Sequence, residues 1–273
     1  MANVRILRLR SAFVAATLLL QCVPVGAADD KLLARIRGTV GVAQTKDGQL
    51  TVITGKQLVP DDQYAVTRAV SNGLLTFPDS SEIALGPDTQ VQVGAFTSVG
   101  GTAGAHVTLA QGTMRFTVRQ SAGGKSNYTF VTPTAAIAVR GTVALVQAAA
   151  NGDTIACLDC KAGDVVVTVG QQTYPLTTGQ TLFISIAGIV TAGAIAAAIL
   201  QAFSSAGLST SAAGSSFGAG VGGSTAAAGA AGTTTAVAAG AAAAAAAAIA
   251  ASQNNATPTP QQSGTVTLTG KKR

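Results

Sequence analysis

Phe130-Val-Thr-Pro-Thr-Ala-Ala-Ile-Ala-Val-Arg-Gly-Thr-Val-Ala-Leu-Val146 sets two apolar runs around a Thr-Pro and an Arg-Gly-Thr. Val, Ile, Thr and Phe favour extended backbone, and Pro and Gly punctuate it. The residue types suit short strands and a tight bend rather than catalysis. Outward from this stretch, short apolar runs recur at roughly the 8- to 12-residue spacing of an all-β sandwich, barrel or solenoid.

On the N-terminal side, Gly38 to Val42 leads through Lys46-Asp47-Gly48, a hairpin turn, to a return strand at Leu50 to Thr54. Gln63 to Val70 meets Asn72-Gly73, which reads as a second hairpin before Leu74 to Phe77. Pro78-Asp79-Ser80-Ser81 turns into Glu82 to Leu85, and Gln90 to Val93 alternates. Thr113 to Arg119 is the cleanest amphipathic strand: Met114, Phe116 and Val118 form one face, and Arg115, Thr117 and Arg119 form a wet one. Further strands are expected at Tyr128–Thr132, Ala136–Val139, Val143–Gln147, Asp164–Val169 and Thr181–Ile186. Leu109-Ala-Gln-Gly112 and Leu176-Thr-Thr-Gly179 share one turn form, in which Gly reaches conformations closed to other residues.

These pieces, in order, resemble the FecR domain, the periplasmic domain of bacterial FecR-type regulators. The segments that carry the resemblance are Phe77–Leu85, Thr89–Val93, Leu109–Phe116, Phe130–Thr142, Ala162–Val167 and Leu176–Gln180. Ser80 departs from the family's Asp-Gly-Ser turn. The likeness covers roughly residues 35 to 186 and makes Thr132, Pro133, Arg140, Gly141 and Thr142 the structural signature. It implies an all-β domain of stacked short strands, close to a small β-helix or β-sandwich, with an extracytoplasmic binding or regulatory role and no catalysis. In the family's best-understood members a membrane helix and a sigma-factor-controlling segment precede this domain. Here only about ten residues precede the apolar core of the leader, so a stand-alone secreted member is expected.

The ends fit that compartment. Arg5, Arg8 and Arg10 precede an apolar core, Ala12 to Leu20, and Val25-Gly26-Ala27 offers a cleavage site. Residues 1–27 are therefore read as a signal peptide. Gln21 before Cys22 speaks against lipid attachment, and an uncleaved anchor is the other alternative. The net charge of +6 reports the termini: apart from the three leader arginines and Lys271-Lys272-Arg273, basic residues match the 11 acidic ones. No clustered basic face for nucleic acid results.

After Asp164 no charge occurs until Lys271. The organisation expected is a β domain over 28–186, then an apolar segment over 187–205 that could span a membrane as a small-residue helix. An Ala/Gly/Ser/Thr tail over 206–273, partly helical or disordered, completes the chain, with anchoring or self-association as its role.

Candidate chemistry is sparse. Cys157 and Cys160 are expected to close a structural disulfide in an oxidising compartment, with free thiols, redox and metal roles as alternatives. Zinc would need two more ligands, and His106 is the sole histidine. His106 has no Gly-x-Ser-x-Gly elbow to serve and is expected in a solvated loop or strand start. Asp61 with Asp62, and Asp79 with Glu82, are the carboxylate pairs. The first pair and Asp79 sit in turns, and Glu82 begins a strand on its wet face. Arg140 is expected to hydrogen-bond carbonyls at its bend rather than hold an anion. Trp is absent, and only Tyr64, Tyr128 and Tyr174 could stack on a sugar. No cofactor or metal is expected.

The resulting expectation is a non-enzymatic, periplasmic or secreted FecR-like module in envelope sensing or signal transduction, acting on a protein partner in the envelope. Its alternative is a structural surface or matrix protein that assembles through its β domain and tail.

Overall fold

The structure, a computed structural model, describes residues 31–120 and 125–221. The leader and residues 222–273, including the Ala-rich tract and the basic terminus, lie outside the described residues.

Four short strands open the fold: β1 (Lys31–Arg37), β2 (Val40–Ala43), β3 (Thr51–Val52) and β4 (Lys56–Val59). β5 (Gln63–Thr67), β6 (Asn72–Thr76), β7 (Glu82–Leu85) and β8 (Gln90–Val99) follow, and then β9 (Thr102–Thr117). After them come β10 (Lys125–Ser126), β11 (Tyr128–Val131), β12 (Ala136–Val139), β13 (Val143–Ala149) and β14 (Gly152–Asp159). β15 (Val165–Val169), β16 (Gln172–Leu176), β17 (Gln180–Ser185), β18 (Val190–Ala194) and the helix α1 (Ala197–Ser205) end the described chain.

The pairings sort these strands into two sheets. The first runs β4-β1-β6-β7-β9-β13-β14-β17-β18, antiparallel throughout. The second runs β3-β2-β5-β8-β9-β11-β12-β15-β16, with β10 and β11 parallel to β9. The chain passes between the sheets every one to three strands, so the stacked units expected from the turns are realised as a two-layer sandwich.

β9 belongs to both sheets. Its first part pairs with β8 in the second sheet, and the part after Gly112 pairs with β7 and β13 in the first. Gly112 has φ +99, and a Cβ there would collide with Thr89. The Leu109-x-x-Gly112 form is therefore a corner within one strand rather than a turn between two, and it needs Gly because other residues are strained at that φ.

The core lies between the layers. Leu33, Leu75, Ile83, Phe116, Val146, Ile155 and Leu182 come from the first sheet, and Val42, Ala65, Val91, Val107, Ile137 and Val167 face them from the second. Phe116 stacks on Phe130 across the layers, with ring centroids 4.3 Å apart.

Two expectations fail here. Asn72-Gly73 is not a hairpin turn. Both residues lie in β6, which pairs with β1 and β7, while β5 pairs with β2 and β8 in the other sheet. Asn72 is buried, and its amide donates to Leu85 O (3.2 Å) and Ala206 O (2.9 Å), so tertiary bonds displace the local turn preference. Nor is 187–205 one helix. It contains β18, which extends the first sheet, and the nine-residue α1. Among the described residues no helix is long and apolar enough to cross a membrane. Packed structure also runs past Ile186 into the stretch read as low complexity. Ile199, Phe203, Leu208 and Phe217 are buried against Ala84, Leu145 and Ala156 on the outer face of the first sheet.

Candidate functional site

Arg115 anchors this outer layer. On β9 it points away from the core, as alternation requires, but it is 1% exposed because residues 206–221 cover it. Its Nη1 donates to Thr117 Oγ1 (2.7 Å) and Ser216 Oγ (2.9 Å), and its Nη2 donates to Ser211 O (3.1 Å). Ser216 Oγ in turn donates to Glu82 Oε2 (2.9 Å). Burial lowers the Arg115 pKa from its ordinary value, and the Glu82 charge opposes that shift. The faces expected to be wet at Arg115 and Glu82 are thus a covered polar network. The feature that sequence reading missed is the spacing of large apolar residues, Ile199 and Phe203 four apart on one helical face, inside an Ala/Ser background.

The signature residues divide into two junctions. At the first, Thr132 Oγ1 accepts from Ala135 N (3.1 Å), which shapes the bend around the exposed Pro133. Thr134 donates from both N (2.9 Å) and Oγ1 (2.6 Å) to Asp153 Oδ2 on β14, and Asp153 is fully buried. This bond ties the second sheet to the first. At the second junction Thr142 exchanges backbone bonds with Val118 and donates from Oγ1 to Asp159 O (2.6 Å) and Cys160 Sγ (2.8 Å). Gly141 has φ +96 and packs against Gln120.

Cys157 and Cys160 are disulfide-bonded, with Cα atoms 6.1 Å apart, and both are buried. Gly179 N donates to Cys157 O (2.9 Å), and Cys160 N donates to Thr178 Oγ1 (2.9 Å). The Arg-Gly-Thr, Cys-x-x-Cys and Leu-x-x-Gly segments therefore meet in one cluster. Arg140 departs from expectation: its side chain is exposed, and its backbone N–H, not its guanidinium, makes the local bond, to Asp164 O (2.9 Å).

The remaining candidates are dispersed. Asp61 accepts an ion-pair hydrogen bond from the buried Lys31, while the neighbouring Asp62 sits in a turn at φ +62. Asp79 caps Ser81, accepting from its N and Oγ at 2.9 Å, and also accepts the Tyr128 hydroxyl at 2.9 Å. It does not face Glu82, which serves Ser216 instead. His106 is exposed in the middle of β9, opposite Thr129 of β11, rather than in a loop or at a strand start. Tyr64, Tyr128 and Tyr174 lie on β5, β11 and β16 and form no common stacking platform. Among the described residues no three of His, Cys, Asp and Glu come together as a metal-binding set.

Tyr128 is fully buried, with its ring edge-on to Phe77 at 5.4 Å. Burial pushes its hydroxyl far above the ordinary tyrosine range. A hydrogen bond with Ser81 opposes this, and the charge and hydrogen bond of Asp79 add to it. The unfolded chain therefore releases this proton first as pH rises. The associated stability is complete below about pH 10 and declines above it by up to about 1.4 kcal/mol per pH unit. Tyr128→Phe is expected to remove that component, seen as a flatter stability profile above pH 10 in denaturant titrations run beside the parent chain.

Two large apolar side chains stand exposed after β17. Ile186 and Ile189 are 73% and 66% exposed. Ile186, with Pro133, Thr134, Gln172 and Tyr174, lines a shallow trough of about 710 Å³.

No curated protein matches this chain. Two crystal structures, at 2.50 and 1.65 Å resolution, of a "putative anti-sigma factor" from Parabacteroides distasonis ATCC 8503 are similar to it at 15% identity and a TM-score of 0.43. The likeness covers 51% of this chain and 63% of that one. The family model of the FecR protein matches residues 63–166, a narrower span than 35–186. That span, which is similar to the FecR protein family, holds the Gly112 corner, the Thr134–Asp153 tie, Thr142 and both cysteines.

Proposed function

We propose that this chain is an extracytoplasmic FecR-type regulatory protein that works by contact with a protein partner in the cell envelope and carries out no catalysis. The FecR match over residues 63–166 is the observation that carries this reading. The site geometry agrees with it. Asp79, Asp153, Thr142, Cys160 and Arg115 are engaged in bonds that hold the sandwich and its cover together, and the candidate catalytic carboxylates face different partners. What the described surface offers instead is the pair of exposed apolar side chains Ile186 and Ile189, with Ile186 on the trough beside Pro133, a surface suited to protein contact. The basic leader with its Val25-Gly26-Ala27 site supports export.

A photo-crosslinking residue placed at Ile186 in cells making the full chain tests this reading. The expected result is an adduct with one envelope protein, recovered with chain that starts at Ala28 and lost when Ile189→Lys is added. An adduct formed with cytoplasmic proteins by uncleaved chain, or no adduct at this position, would contradict it.

A further inference from the structure

Two strands close each lateral end of the sandwich: β4 and β3 at one end, β18 and β16 at the other. Three of them are guarded against further pairing. β3 is two residues long, β4 carries Lys56 and stops at Pro60, and β16 contains Pro175. Short edges, Lys and Pro are the usual means of blocking strand addition. β18 has none of them. It is Val190-Thr191-Ala192-Gly193-Ala194, exposed from Thr191 onward and paired on one side only among the described residues.

The hydrogen-bond parity of β18 follows from its ends. Ser185 N donates to Ile189 O, and Ile195 N donates to Gly179 O, so the odd-numbered residues from 189 to 195 face β17. In an antiparallel ladder alternate residues direct both backbone groups to the same side. Val190, Ala192 and Ala194 therefore turn their N–H and C=O groups away from β17. Beside this edge lies an open trough of about 510 Å³ between the two sheets, lined by Tyr174, Leu176, Leu182, Ala192 and Ala194 among others.

Gly193 adds a second observation. It sits inside the strand, its backbone is not in the left-handed region, and a Cβ there would meet nothing within 4 Å. Neither a turn nor packing among the described residues requires Gly at this position, where Gly weakens a strand. Gly inside a strand often marks the close approach of another backbone.

Charge selects the occupant. In a two-fold contact the same surface meets itself, so a charge near the axis is set against its own copy. β18 and the lining of its trough carry no charge, and no charged residue occurs from Val165 to Val221. A charged partner strand finds nothing here to pair with, whereas a second copy meets no repulsion.

We propose that β18 is a self-association edge, on which β18 of a second copy of this chain adds antiparallel about a two-fold axis at Ala192. Ala192 exchanges both outward backbone bonds with Ala192 of the second copy, and Val190 does so with Ala194. Gly193 lies opposite Thr191, which gives the threonine its room. The first sheet then runs on through both copies, and the two troughs meet side by side and cover each other's apolar lining. One strand from each copy is a small contact, so the dimer is a weak one, half formed at about 10–100 μM.

Sedimentation equilibrium of the full chain up to about 500 μM, beside full-length variants at Ala192, tests this. Ala192→Pro removes an N–H that faces away from β17, so the pairing of β18 with β17 is kept. The parent chain should pass from one copy to two as concentration rises, and Ala192→Pro should associate about 30-fold more weakly, through loss of one bond from each copy. Ala192→Lys and Ala192→Glu each set like charges across the axis, so each should stay single alone and pair when the two are mixed. Pairing in the mixture requires both variants to be folded, so misfolding cannot imitate it. A parent chain that stays single throughout would overturn the proposal, and an Ala192 amide protected from exchange in that single copy would assign the edge to another part of the chain. Ala192→Pro associating like the parent, or Lys and Glu variants that fail to pair when mixed, would overturn it as well.

Discussion

A chain stopped after Ile186 is expected not to reach a stable fold, whereas one stopped after Val221 is expected to unfold cooperatively like the full chain. The shorter truncation loses β18 and α1 and bares the outer face of the first sheet at Ala84, Leu145 and Ala156. It also removes Ile199, Phe203, Leu208 and Phe217, all buried. Each such side chain stabilises by about 1.5–3 kcal/mol, so the four together contribute about 6–12 kcal/mol. That is of the order of the whole stability of a domain, about 5–15 kcal/mol. Urea titrations of the two truncated chains decide the matter. A cooperative transition for the chain ending at Ile186, at a midpoint near that of the longer one, would show that residues 187–221 only rest on the domain.

Arg115→Ala is expected to cost about 3 kcal/mol, by loss of charge-assisted bonds to Ser216, Thr117 and Ser211 and of the packing of the stem. Arg115→Lys should cost less but not nothing. An ammonium keeps the charge beside Glu82 yet cannot present the planar fork that reaches three acceptors. Chemical denaturation of both variants gives the ranking. Equal stability of Arg115→Ala and the parent chain would mean that the covering segment is held by its apolar residues alone.

Much of the inner sandwich was legible. Phe77 to Leu85 forms the β6–β7 hairpin around Pro78-Asp79-Ser80-Ser81 as its residues predict, and Asp79 caps that turn. Met114, Phe116 and Val118 face the core as the alternation requires. In these places local propensity and burial agree, so period and turn chemistry suffice.

The misreadings share one cause, which is long-range packing. Asn72-Gly73 carries a strong turn signal, but the bond from Asn72 to Ala206 comes from 134 residues away and holds the pair inside a strand. The alternation rule placed Arg115 correctly on the outer face. It could not show that this face is covered, because the cover is built from Ala, Ser and Gly with four large apolar residues spread from 199 to 217. Composition averages hide such sparse anchors, although Ile199 and Phe203 at helical spacing are a readable trace. Arg140 stands out in the sequence as a charge inside an apolar signature, yet the structural bonds there belong to its backbone and to Thr142.

Residues 31–120 and 125–221 form one packed unit in which the C-terminal segment covers the outer face of the first sheet. Limited digestion of the full chain with elastase, which cuts after small apolar residues, tests it most directly when fragment masses are followed with time. The expected result is a persistent fragment that ends at or beyond Val221, with the bonds between Ile186 and Val221 intact. Early cleavage between Ala187 and Ser205, leaving a stable fragment that ends near Ile186, would contradict it.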